Sequence, residues 1–138
     1  MKSKKTETKH DIVHLMKQWQ LIEDASVNNT TQIINMNSNP LIHVVMEIIR
    51  QDSAMHRRVQ QLIIDHFSKN ELSVSPEELE EIWDMIMEHD IMEKKTISLA
   101  KQALPEVKNS SVAYLIEYLL TDEKKHDKML EELEKLKK

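Results

Sequence analysis

No glycine occurs anywhere in the 138 residues. A sheet protein closes tight hairpins at positive φ, where glycine is the default residue, so this chain must turn with Asn, Ser and Pro. The apolar residues agree, recurring at intervals of three and four and never in long alternation. Four helical seams follow. The first holds Ile12, Met16, Trp19, Glu23, Ser26, Thr30 and Ile33, and the second Ile42, Val45, Ile49, Asp52, His56, Val59 and Ile63. The third holds Leu79, Ile82, Ile86, His89, Glu93, Thr96 and Ala100, and the fourth Val112, Leu115, Leu119, Asp122, His126, Met129, Leu133 and Leu136.

The punctuation fits four helices. "NMNSNP" ends the first, with Asn39 as N-cap of the second and Pro40 at its first position. "SPEE" opens the third as a capping box from Ser75 to Glu78, and Pro105 stops it. The expected architecture is all-α: a flexible N-terminal segment over 1–9, then one four-helix bundle domain over 10–138. Its helices are expected at about 11–37, 40–67, 76–104 and 111–136, forming two similar helical hairpins.

Composition removes several function classes. The net charge of −5 leaves no basic footprint for nucleic acid. Without cysteine there is no disulfide framework and no thiolate metal site. "MKSKKTETKH" has no apolar run behind it, so no signal peptide is expected, and no apolar run is long enough to span a membrane. The expected compartment is the cytoplasm.

Every seam is apolar at both ends and polar in the middle. Glu23, Asp52 with His56, His89 with Glu93, and Asp122 with Glu123 and His126 would meet in one layer. An internal repeat sharpens this. Shifted by 70 residues, the two halves align without a gap: Glu23 falls on Glu93, Ser26 on Thr96, Asp52 on Asp122 and His56 on His126. Glu23 to His56 and Glu93 to His126 both span 33 residues. Apolar heptads align readily by chance, whereas polar interruptions do so much less readily.

Acids and imidazoles converging inside a bundle suit a divalent metal. Iron and manganese take mixed carboxylate and imidazole ligands, and the ion offsets the cost of burying the carboxylates. On a helix Glu123 and His126 lie about 60° apart and one turn along, and His89 and Glu93 about 40° apart, so each pair can reach one ion. The alternative is a buried salt-bridge and hydrogen-bond network in a non-catalytic interaction or assembly module. No Lys or Arg lies on the central seams to pair with these acids.

The repeated Glu…Glu-x-x-His pattern resembles the ferritin-like, rubrerythrin-type di-iron carboxylate bundles over roughly residues 10–136. The resemblance implies a buried di-metal site, iron with manganese or zinc as alternatives, reacting with oxygen or peroxide in the manner of a non-haem oxidoreductase. It maps the lone metal-bridging carboxylates to Glu23 and Glu93, the Glu-x-x-His pair to Glu123 and His126, and the aspartates that orient ligand histidines to Asp52 and Asp122. The chain departs from the pattern in "RQDSAMH", where Ser53 stands in place of a ligand Glu. His89, whose repeat counterpart is Trp19, is an extra imidazole expected to join the ligands. The expectation is an unequal site, with one metal held tightly by Glu93, Glu123 and His126 and a second, on the His56 side, held loosely or absent. A ferritin-type crossover would need about 40 Å between the second and third helices, whereas the nine steps from Phe67 to Pro76 reach about 30 Å. Frayed helix ends, an up-down-up-down bundle and hairpins exchanged between subunits all satisfy that length. Nothing in the residues names an electron donor.

Other residues read as structure: His10, His14, His43 and His66 as solvated or loop-near, the methionines as core filler. The second and fourth helices carry doubled apolar columns, Val44, Val45, Ile48 and Ile49, and Tyr114, Leu115, Tyr118, Leu119 and Leu120. One seam cannot bury both columns, so a homodimer is expected.

Overall fold

The computed structural model describes residues 4–69 and 72–136. It is all-α: α1 (Lys4–Met36), α2 (Pro40–Ser68), α3 (Pro76–Ala103), a single 3-10 turn (Leu104–Glu106) and α4 (Ser110–Lys135). Three helices start and end within a residue or so of the expected limits. The first begins earlier, at Lys4, because nothing between Lys4 and Asp11 breaks a helix. Residues 1–3 of the expected flexible segment lie outside the described residues. No helix among the described residues is long and apolar enough to cross a membrane.

The caps explain where the helices start. Asn39 Oδ1 accepts from the backbone N–H of Leu41 at 2.9 Å and of Ile42 at 3.2 Å. Seventy residues on, Asn109 Oδ1 does the same for Ser111 and Val112 at 2.9 and 3.1 Å. Ser75 and Glu78 close a reciprocal capping box, each bond 3.1 Å. Such caps are each worth roughly 1 kcal/mol, and they replace the glycine turns that this chain lacks.

The chain divides into two compact units at Leu72/Ser73. In the first, α1 packs against α2; in the second, α3 packs against α4. Both are antiparallel hairpins with unusually polar seams. In the first, Gln20, Glu23, Thr30, Ser53 and Gln60 are buried with Ile64; in the second, Asp90 and Glu93 are buried with Leu79. The apolar stripes beside those seams stay exposed: Leu15, Trp19 and Ile22 on α1, and Ile82, Met85, Met92 and Leu99 on α3. Their three- and four-residue spacing puts each set on one helix face. Each helix pair thus closes around polar residues and leaves an apolar face open.

Candidate metal centre

In the α3–α4 hairpin, Glu93 comes from α3, while Glu123 and His126 lie one turn apart on α4. Each offers a ligand atom, and these atoms all lie within 4.8 Å of one another. Glu93 is buried at 6% exposure, because its position on α3 faces α4. Glu123 and His126 are half-buried. His126 Nδ1 lies 3.5 Å from Glu93 Oε2 and 3.7 Å from Glu123 Oε1. Its other nitrogen, Nε2, lies 3.3 Å from Asp122 Oδ2, within ion-pair reach.

Two neighbours position the carboxylates. Thr96 Oγ1 sits 2.6 Å from Glu123 Oε2 and 2.7 Å from the Glu93 carbonyl oxygen, and its one proton serves either acceptor. The Thr96 hydroxyl above all holds the Glu123 carboxyl below the usual carboxylate range. His89 Nε2 lies 2.7 Å from Glu93 Oε1. His89 therefore clamps Glu93 from the side and stands outside the Glu93, Glu123 and His126 cluster.

Glu93 Oε2 is buried and accepts no hydrogen bond. The His126 contact at 3.5 Å is within ion-pair reach but lacks hydrogen-bond geometry. An orphaned, buried carboxylate oxygen costs about 1–3 kcal/mol, and here it lies beside two further groups able to ligate a metal. A hard or borderline divalent cation fits this donor set of two carboxylates and one imidazole.

Among the described residues, the α1–α2 hairpin repeats the frame without the cluster. His56 Nδ1 lies 3.2 Å from Glu23 Oε2, matching His126 and Glu93. Ser26 and Ser53 hydroxyls are 2.8 Å apart, matching Thr96 and Glu123. The 70-residue register therefore describes side-chain contacts as well as sequence. The difference lies at Ser53, which offers no anion, and at Gln60, whose Nε2 donates to Glu23 Oε2 at 3.1 Å. Glu23 gains an amide partner where Glu93 has none. His56 is exposed, and so is Asp52, which makes no hydrogen bond or ion pair to His56.

Gln60 and the positioning role of Thr96 escape sequence reasoning. Neither is a usual ligand, and only a break in the repeat, Gln60 against Leu130, marks the first. A second polar cluster was equally hidden. Buried Asp90 holds Lys94 Nζ at 3.0 Å through Oδ2 and adjoins Asp127. The hydrogen bond between the two carboxyls raises Asp127 above its ordinary value and lowers Asp90. Comparison with protein-family models, with curated proteins and with solved structures finds no match for the chain.

Proposed function

We propose that the protein binds a divalent transition metal through Glu93, Glu123 and His126, as a metal-binding helical protein of ferritin-like type. The observation that carries this reading is the orphaned Glu93 Oε2, buried beside Glu123 and His126 with no other group to satisfy it. Glu93 and Glu123 supply two negative charges and His126 a neutral nitrogen, a set suited to iron or manganese, with zinc as an alternative. Iron held there by Glu93, Glu123 and His126 would supply one-electron chemistry towards oxygen or peroxide. Around it, Thr96 fixes the Glu123 rotamer, Asp122 lies within ion-pair reach of the His126 ring and His89 restrains Glu93.

The α1–α2 hairpin keeps Glu23 and His56 as a weaker position, because the amide of Gln60 replaces part of what a cation would do. That closed arrangement also favours the competing reading, in which both polar seams are hydrogen-bond networks in an interaction module. Titration of chelator-stripped protein with Fe²⁺, Mn²⁺ and Zn²⁺ by calorimetry separates the two. One tight site per chain, lost in Glu123→Ala and His126→Ala and retained in His56→Ala, is the expected result. No saturable binding, or binding unaffected by those substitutions, rejects the metal reading.

A further inference from the structure

A cavity of about 360 Å³ opens on the α3–α4 hairpin directly beside the metal-ligating carboxylate. Ala100, Ala103, Ile116 and Leu119 line its body, and Thr96 with Glu123 closes one end. The volume falls at the small end of the range for ligand pockets. Two alanines make the space. Their counterparts 70 residues earlier are Thr30, which is buried and donates to the Ser26 carbonyl at 2.8 Å, and half-buried Ile33. The same register in α1 thus carries larger side chains, and on α2 Ser53 stands at the register position of Glu123. The smaller side chains thus fall in the hairpin that carries the Glu93, Glu123 and His126 group.

From this pairing of a hollow with a ligand cluster, we infer that the α3–α4 hairpin binds a small uncharged aliphatic molecule in the cavity, with one end against Glu123. The lining carries no cationic group to neutralise an acid. Its two polar groups, the Thr96 hydroxyl and the Glu123 carboxylate, already bond to one another at 2.6 Å. What remains for a ligand is apolar contact, at about 25 cal/mol per Å² buried. The inference deepens the metal reading, on which it rests only for placing the ligand's end beside the ion.

The test uses the full chain and 1-octanol as probe, followed by NMR titration. Saturable binding of one octanol per chain is expected. The double variant Ala100→Thr with Ala103→Ile, which installs the residues of the α1 register, should weaken it at least about tenfold, the loss of roughly two buried methylenes. The milder Ala103→Val should weaken it by a smaller factor, and melting curves followed by circular dichroism establish that each variant is folded. In Co²⁺-loaded protein, octanol should shift the visible absorption bands of the ion, while Co²⁺ affinity is the same in wild type and double variant. Absence of saturable octanol binding, as when a helix of another chain fills the groove, overturns the inference. So does octanol binding that the alanine substitutions leave unchanged. The Co²⁺ titration is read independently, so octanol failing while Co²⁺ binds rejects only the cavity, and the converse rejects only the metal site.

Discussion

Replacing Glu93 by Gln should change stability in opposite directions with and without metal. In metal-free protein, Glu93 Oε2 is a buried oxygen with no hydrogen-bond donor, and the Glu123 carboxylate adjoins it. An orphaned buried acceptor costs about 1–3 kcal/mol. The Gln amide removes the charge, turns an acceptor into a donor facing Glu123, and keeps an oxygen for the contact His89 makes at 2.7 Å. Metal-free Glu93→Gln should therefore be more stable than wild type by about 1 kcal/mol or more, ~4–8 °C in Tm for a unit of this size. With metal at a hundredfold excess over Kd, wild type gains about 2.7 kcal/mol, and the variant, deprived of a ligand, gains little. The order of melting temperatures should thus invert on metal addition. The control is Glu23→Gln, where Gln60 already donates to the carboxylate at 3.1 Å. Weakening a charge-assisted bond should lower stability by about 1 kcal/mol with or without metal. Calorimetric melts of the three proteins, stripped and metal-loaded, give the comparison. A Glu93→Gln protein that is destabilised when metal-free, with a wild type insensitive to metal, would show that Glu93 is an ordinary partner in a hydrogen-bond network.

Three further outcomes are expected. Ser53→Glu combined with Gln60→Leu rebuilds in α1–α2 the residues of α3–α4, and should raise metal stoichiometry towards two per chain while lowering metal-free stability, since Ser53 is buried at 5% exposure; an unchanged stoichiometry by elemental analysis counts against the repeat-based ligand assignment. The Asp90 and Asp127 carboxyls face one another, which raises Asp127 and lowers Asp90. A raised group stabilises the fold below its unfolded pKa and loses that contribution as pH rises through its folded pKa, whereas depressed Asp90 loses its contribution only as pH falls. Stability should therefore decline on the way up from about pH 4 as the pair gives up its shared proton, and Asp90→Asn, which offers Asp127 an amide, should flatten that decline in Tm; parallel profiles for the two proteins would sink the idea. Light scattering at micromolar concentration should report a dimer, because Trp19, Ile22, Met85 and Met92 are all at least half exposed; a mass of 16.3 kDa would refute it.

Much of the fold and part of the site were legible in the residues. Zero glycine, with apolar spacing at three and four, dictates helices, since that period makes an apolar face only on a helix. Asn39, Ser75 and Glu78 locate helix starts because capping is local chemistry within four residues. The Glu123-x-x-His126 pair was readable for the same reason, both side chains belonging to one turn of one helix. Contacts across helices were a different matter. Whether Glu93 Oε2 finds a donor, and Glu23 does, depends on how far each helix is rotated about its axis against its neighbour. One sequence position, Gln60 against Leu130, makes that difference only once α1 and α2 are packed. The seam periodicity likewise expected Trp19 and Ile82 inside, but the hairpins close around the adjacent polar column and leave both exposed. Periodicity defines a face about 100° wide; the helix rotation that decides which edge of that face meets the partner is set by tertiary packing alone.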